Sequence, residues 1–333
     1  MGKSKLKKII KIVIFSIVAI FLLINIAIII QAYSLTHFKE NAKPITPDYK
    51  PTLSETIGIA VFGMDIPKPE AKEHPDRPYK ALHFTDANGR KLEAWLLTTD
   101  SVKQGLAIIF HGYMDEKSRM LDRAYVIADM GYNVMLVDLM GSGGSSGTQT
   151  TIGFFEAENV KAAHDYAITE LHEDKIVLFG FSMGAVAIMK AQHDYSMYAN
   201  AIILEAPYGT FKGTVEQRLD KLHIPHWPAS TLFTFWAGTI NGFNAFEANP
   251  QDYGRKIFIP TLLMCGGKDQ YIPTEETQLI FTQLSSNKKT IKIFPESLHE
   301  SYLLKYPDEW KSTVYNFLHK LELLDVHNRV YME

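Results

Sequence analysis

Cysteine is almost absent: Cys265 stands alone among 333 residues, so no internal disulfide can form, and the redox compartment is left open. Lying in the apolar run Pro260–Cys265, its thiol reads as core rather than as a reactive group. Metal-binding spacings are missing too. With no Cys pair and no His-Glu-x-x-His helix, the chain offers no ligand set for a transition metal. Charge of one sign is also scarce, since 34 Lys and Arg face 37 Asp and Glu for a net charge of −3. Beyond the N-terminal lysines no basic run is present to neutralise a phosphate backbone, which excludes nucleic acid as a partner. The stretch Gly141–Gly147 lacks the Gly-Lys-Ser/Thr ending of a phosphate cradle and reads as a flexible loop. No internal repeat or low-complexity domain is evident.

What is present begins with a long apolar run. Residues 9–30 are apolar apart from Lys11, Ser16 and Asn25. A helix of that length spans about 33 Å, enough for a bilayer core. Lys3, Lys5, Lys7, Lys8 and Lys11 crowd its start, whereas Lys39, Lys43 and Lys50 beyond it are offset by Glu40 and Asp48. The positive-inside bias puts the tip in the cytoplasm and the remaining chain on the extracytoplasmic side of a cell membrane. The small residues of Ala32-Tyr33-Ser34 also suit signal peptidase, which would make the protein secreted. Signal cores run about 7 to 15 residues, so the length of this run favours a retained anchor. Met1-Gly2 opens a myristoylation pattern that fails at Leu6, where Ser or Thr is required.

The expected layout is an anchor over 1–34, a spacer over 35–78, a globular domain over 79–324 and a C-terminal tail over 325–333. In the spacer Pro44, Pro47, Pro51, Pro67, Pro69, Pro75 and Pro78 resist regular structure. Its apolar piece Ile57–Phe62 predicts a short helix, either packed on the domain or lying at the lipid surface. Strands follow at Ala81–Thr85 and Leu92–Thr98, joined through the hairpin signal Ala87-Asn88-Gly89. Further apolar runs at Leu106–Phe110, Asn133–Asp138, Lys175–Phe179, Pro260–Cys265 and Thr290–Phe294 alternate with helical patterns such as Arg119–Met130, Glu156–Leu171 and Glu275–Leu284. That alternation predicts a mostly parallel sheet between layers of helices.

One of those strands ends in Gly180-Phe181-Ser182-Met183-Gly184 and runs straight into the helical Ala185–Lys190. Strand, sharp Gly-flanked turn and helix specify a nucleophile elbow, which lifts a serine hydroxyl over the end of a sheet. A Gly-rich turn with an idle serine is the plain alternative. A nucleophilic serine needs a base, an orienting acid and oxyanion donors. Each follows a strand: His111-Gly112-Tyr113-Met114 after Leu106–Phe110, Asp269 after Pro260–Cys265, and His299 after Thr290–Phe294. Among 12 His, His164 sits mid-helix and His111 suits a structural hydrogen bond, whereas the loop position of His299 after the last strand selects it as the base. Asp252, in a helical turn, and Asp308, a candidate N-cap after Pro307, compete with Asp269 for the acid; the strand-end position selects Asp269.

Ser, then Asp, then His is the chain order of α/β-hydrolases. Over residues 79–322 the sequence resembles that superfamily, in its serine-nucleophile branch of small bacterial esterases, Bem46-like proteins and serine-aminopeptidase-like hydrolases. The resemblance implies an α/β-hydrolase fold with Ser182 as nucleophile, His299 as base and Asp269 as its orienting carboxylate. It implies an oxyanion hole built from the backbone N–H groups of Tyr113 and Met183. It also makes the irregular stretch 208–256 a small helical cap insertion. Many relatives carry Asp-x-Arg-Gly-x-Gly where this chain has Asp138-Leu139-Met140-Gly141, so an Asp–Arg interaction is expected to be missing.

The cap segment carries Tyr208, Phe211, Trp227, Phe233, Phe235, Trp236, Phe243 and Phe246. These rings either line an apolar pocket above Ser182 or glue the cap to the sheet. The function implied is a membrane-anchored serine hydrolase cleaving small apolar acyl esters through an acyl-enzyme, with no cofactor. An amide or peptide hydrolase, with Glu216 or Glu247 binding a substrate ammonium, is one alternative. A catalytically silent interaction module is the other.

Overall fold

The computed structural model describes residues 3–43, 51–99 and 102–330. Met1-Gly2, the spacer residues Pro44, Pro47, Asp48 and Lys50, and residues 331–333 of the tail lie outside them. Tyr79–Thr85 (β1) and Lys91–Leu97 (β2) form an antiparallel hairpin, and β2 pairs antiparallel with Tyr132–Val137 (β4). The other strand pairings of the sheet are parallel: β4 with Gly105–Phe110 (β3), β3 with Ile176–Phe181 (β5), β5 with Ala201–Glu205 (β6), β6 with Thr261–Gly266 (β7), and β7 with Lys289–Phe294 (β8). The sheet order is β1-β2-β4-β3-β5-β6-β7-β8. Continuous apolar sequence suits β3, β6 and β7 because both faces of each are buried.

Two helices open the chain, Lys3–Thr36 (α1) and Leu53–Phe62 (α2). The body supplies Leu121–Asp129 (α3), Glu156–Thr169 (α4) and Met183–Tyr195 (α5). Next come Phe211–Lys221 (α6), His226–Asn241 (α7) and the single turn Pro250–Tyr253 (α8). Thr274–Gln283 (α9), Tyr302–Lys305 (α10) and Pro307–Val330 (α11) complete the set. The period of two along β3 shows how the layers form: Ala107 and Ile109 join a core with α3 and α11, while Leu106, Ile108 and Phe110 join a second core with α4, α5 and α9. From β3 the chain winds to β4 on one side and returns to β5 on the other. The carboxyl ends of β3 and β5 therefore flank a topological switch point, where such sheets bind ligands.

Residues 208–256 divide in two. Helices α6 and α7 pack on each other as the cap, whereas α8 returns to the body and packs on α5 and α9. The helix expected over 9–30 runs longer, from Lys3 to Thr36, and is long and apolar enough to cross a bilayer. Its last turns are part of the packed body: Ala32 has no exposure and Thr36 is buried. The described part of segment 35–78 is fastened to the domain as well, with Phe38 and Ile66 buried and backbone bonds joining Lys39 to Ile66, Phe38 to Thr148 and Gly143 to Pro69. Its helix α2 begins in a capping box at Thr52 and Glu55, packs on α1, and buries none of its own residues. Helix α11 reaches Val330 and so takes in the first residues of the 325–333 segment.

Candidate active site

The elbow forms because two glycines admit what a Cβ would block. A Cβ at Gly180 would lie 2.5 Å from the Ala185 nitrogen, and one at Gly184 would lie 2.5 Å from the Phe110 carbonyl oxygen. Ser182 caps α5 with φ 51° and ψ −113°, a sparsely populated conformation for a side-chain-bearing residue. Its N–H is held by the Glu205 carbonyl at 2.7 Å, across the β5–β6 pair. Hydroxyl and helix N-terminus thus meet at the end of β5.

The three side chains expected to act together do meet. Ser182 Oγ lies 3.0 Å from His299 Nε2, and His299 Nδ1 lies 2.7 Å from Asp269 Oδ2. Sequence separations of 117 and 30 residues are closed because β5, β7 and β8 end side by side. Asp269 is aimed by its own loop, since Oδ1 accepts the N–H of Tyr271 at 2.8 Å and of Ile272 at 3.0 Å. The imidazole is held between the rings of Phe181, 5.1 Å away, and Tyr271, 5.9 Å away. The competing acids stand elsewhere: Asp252 faces Arg255 from α8, and Asp308 lies inside the first turn of α11 rather than capping it, because the helix starts at Pro307.

The His111-Gly112-Tyr113 loop comes against the serine. A Cβ on Gly112 would sit 3.6 Å from Ser182 Cβ. Among the described residues no acceptor is paired with the Tyr113 or the Met183 amide, and Met183 follows Ser182 at the start of α5. Tyr113 is tied at its other end, where its hydroxyl donates to the Leu35 carbonyl at 2.7 Å in the last turn of α1. His111 is structural and buried. Its Nδ1 meets the Gly112 carbonyl at 2.8 Å and its Nε2 accepts the Leu139 N–H at 3.0 Å, which fixes one neutral tautomer. His164 likewise contacts the Tyr198 carbonyl, at 2.6 Å.

Two buried ion pairs beneath the site have no sequence signal. Where an Asp–Arg interaction is missing, Asp138 instead takes the Lys117 ammonium, the Lys117 N–H at 2.8 Å and the Gly144 N–H at 2.8 Å. Lys117 also reaches Glu93 at 2.7 Å. Burial disfavours its charge, yet Asp138 and Glu93 outweigh that and hold its pKa above the ordinary lysine value. This network pins the 141–147 loop, which is not the free segment its composition suggested: Ser142 and Ser145 are buried, and Ser145 Oγ donates to the Asp138 carbonyl. Glu205, at the end of β6, takes Arg123 Nη2 at 3.0 Å and the Trp310 indole. Burial raises the Glu205 pKa, with Arg123 acting against it. A lysine and an arginine in loop and helix sequence read as solvated, so their partners are invisible until the strands are assembled.

Cys265 is fully buried and burial pushes its thiol up to about 11, which fits a core role. Among the described residues no group of three or more His, Cys, Asp or Glu gathers as a metal site. Beside His299 opens a polar cavity of about 280 Å³ lined by Asp122, Arg123, Arg119 and Ser301 among others. The cap rings divide: Tyr208, Phe211 and Phe243 pack inward, while Trp227 and Phe235 point out.

A family model described as Hydrolase_4, serine aminopeptidase S33, matches residues 101–241. The Bacillus subtilis protein YqkD is 28% identical over 214 residues, which is 63% of this chain and 70% of that one. Protein bem46 of Schizosaccharomyces pombe is 24% identical over 201 residues, 59% of this chain and 62% of its own. Among solved structures, the Pyrococcus furiosus esterase Pf2001 superposes with a TM-score of 0.63 at 23% identity, covering 76% of this chain and 98% of the esterase. An esterase from Exiguobacterium antarcticum gives 0.55 at 19% identity, covering 72% of this chain and all of that one. This fold, the matching family model and these relatives support the assignment of the chain to the α/β-hydrolase superfamily.

Proposed function

We propose that the protein is a membrane-anchored serine hydrolase that cleaves carboxylic acyl esters. The observation that carries this reading is the unbroken relay from Asp269 through His299 to Ser182. Asp269 accepts from Nδ1–H, which leaves Nε2 of the neutral imidazole free to take the Ser182 proton. As it does so, Oγ bonds to the ester carbon and the carbonyl electron pair moves onto oxygen. That oxyanion is met by the amides of Tyr113 and Met183. Collapse expels the alcohol, which takes the proton from His299, and leaves the acyl group on Ser182. Water then repeats the sequence, giving its proton to Nε2, and the acid leaves as Oγ recovers it.

Ester rather than ammonium-bearing peptide substrates are supported by the state of the two cap acids. Glu216 is engaged by Ser230 at 3.0 Å and Lys212 at 3.3 Å, and Glu247 by Asn244 at 2.9 Å. A retained anchor is supported by the burial of Ala32 and by the bond from Trp236 Nε1 to Asn25 Oδ1, both of which cleavage at Ser34 would remove. The lysine-rich start of α1 supports a cytoplasmic tip with the catalytic domain outside.

A chain-length series of p-nitrophenyl esters tests the reading. Wild type is expected to hydrolyse them and Ser182→Ala to lose that activity while melting at an unchanged temperature; a fully active variant would refute the assignment.

A further inference from the structure

Large apolar side chains face outward on α2 and α7, the two helices that pack on α1, which is long and apolar enough to cross a bilayer. A bilayer core takes about 20 helical residues, so a span beginning as early as Ile9 still contains Asn25. A polar side chain at that depth seeks a partner, and Asn25 Oδ1 accepts the indole N–H of Trp236, on α7 of the cap, at 3.0 Å. A second bond joins Asn241 Nδ2 to Thr36 Oγ1 at 3.1 Å. The two pairs make α1 and α7 run in the same sense. The turns of α7 that precede Trp236, back to the kink at Trp227, therefore run toward the part of α1 that precedes Asn25, within the apolar span.

The stretch of α7 before Trp236 exposes large apolar side chains: Trp227, at the kink near its start, is 81% exposed, Phe235 50%, and Leu222 just before the helix 67%, beside the exposed His226–Asp220 pair. Helix α2 flanks the exit of α1 from that span, held by Gln31 of α1, which donates to the Ile59 and Ala60 carbonyls. It exposes Leu53 at 79% and Phe62 at 78%. In water so many large apolar side chains on adjoining elements are a liability; against a bilayer they bury.

The candidate site is tied to α1 near the same exit. Gln31 is the first polar residue of α1 after Asn25, and Leu35 lies about 6 Å further along the helix by its rise per residue. Leu35 is the residue whose carbonyl holds the Tyr113 hydroxyl, so the loop proposed to bind the oxyanion is fastened, through that side chain, to a point one helical turn above the lipid boundary. Membrane acyl esters carry their carbonyls at this boundary, with the acyl chain below and the polar head above. The polar cavity beside His299 opens on the side lined by Asp122, Arg123 and Ser301, where a head would be received.

We infer that α2 and the stretch of α7 from Trp227 to Phe235 are immersed in the leaflet that α1 traverses last, and that the Ser182 centre draws a lipid acyl ester directly from it. This rests on the ester-hydrolase reading, and the experiment separates the two. The full chain is reconstituted in vesicles of phosphatidylcholine and phosphatidylglycerol, with a nitroxide on Trp227→Cys, on Phe235→Cys or, as control, on Val102→Cys. Val102 is exposed beside the start of β3, at the end opposite the His111 loop. Labels at 227 and 235 are expected to collide with oxygen rather than with a water-soluble nickel chelate, and the control to do the reverse.

In parallel, Trp227→Asp combined with Phe235→Asp is assayed on 4-methylumbelliferyl oleate dissolved in the vesicles and on soluble p-nitrophenyl acetate. The vesicle rate is expected to fall about tenfold or more and the soluble rate to stay within about twofold, since lost apolar insertion weakens only the lipid step. Water-exposed labels, an unchanged vesicle rate, or spin–spin broadening between neighbouring chains, which would mean that a second copy covers this face, each overturn the immersion. A protein with lipid-exposed labels that cleaves neither ester would sink the hydrolase reading and leave the immersion standing.

Discussion

The Ser182 centre and the cap above it are held by different means. Ser182, Asp269 and His299 follow β5, β7 and β8, strands locked by parallel ladders in which a one-residue slip would turn every side chain to the wrong face. The cap helix α7 leans instead on α6 and on α1, through two side-chain hydrogen bonds and helix packing. Chemistry is thus assigned to the part of the molecule least able to shift. On the proposed reading, access falls to a part supported by α1, the helix long and apolar enough to cross a bilayer, and entry to the site would then follow how the chain sits in lipid.

Substitutions at each side sharpen that contrast. The largest effect is expected from His299→Ala, which removes the base without touching a core: kcat falls about a thousandfold or more, with the far-ultraviolet spectrum and melting temperature preserved. A drop in stability of the same variant would mean that the imidazole is structural. Next is Lys117→Met, which leaves Asp138 buried without its cation and destabilises the strand-end side by about 3–5 kcal/mol, read by urea unfolding. The pH dependence has a definite sign. Since the folded protein favours the charged lysine, this contribution is complete below the ordinary lysine value of 10.5 and is lost as pH rises through the higher folded value. Wild type should lose stability above that pH more steeply than Lys117→Met, and parallel profiles would remove Lys117 from the account.

Deleting residues 1–33 is a test of the other side. Hydrogen exchange should quicken in α7, by about 2 kcal/mol of local opening free energy, while amides of β3 and β5 keep their protection. Uniform loss of protection would show that α1 supports the whole domain rather than the cap. The smallest effect belongs to the residue that joins the two regions. Tyr113→Phe removes one hydrogen bond to Leu35, worth about 1 kcal/mol, and is expected to lower kcat a few-fold with KM for a soluble ester unchanged.

The parts of the site that could be read from the sequence are those encoded locally. Gly180 and Gly184 around Ser182 specify a turn whatever lies nearby, and Asp269 and His299 each follow an apolar run that ends in a loop. The alternation of runs gave the parallel sheet, and Asn88-Gly89 its antiparallel edge. What escaped is set by partners far along the chain. Lys117 binds Asp138 and Glu93, Arg123 binds Glu205 82 residues away, and Asn25 meets Trp236 across 211 residues. The 141–147 loop looked free because glycine and serine carry no preference of their own; bonds to Lys91, Pro69 and Asp138 hold it. The cap rings could not be sorted by type either, since Phe243 and Phe235 differ only in which way the helix or turn presents them.

The most direct measurement is the site of covalent labelling. The full chain in detergent is treated with a fluorophosphonate, digested and mapped by mass spectrometry, alongside His299→Ala. A single adduct on Ser182, abolished or greatly slowed in the variant, is what the relay geometry predicts. A folded wild-type protein that stays unmodified at Ser182, or reacts at another residue, would contradict the account at its centre.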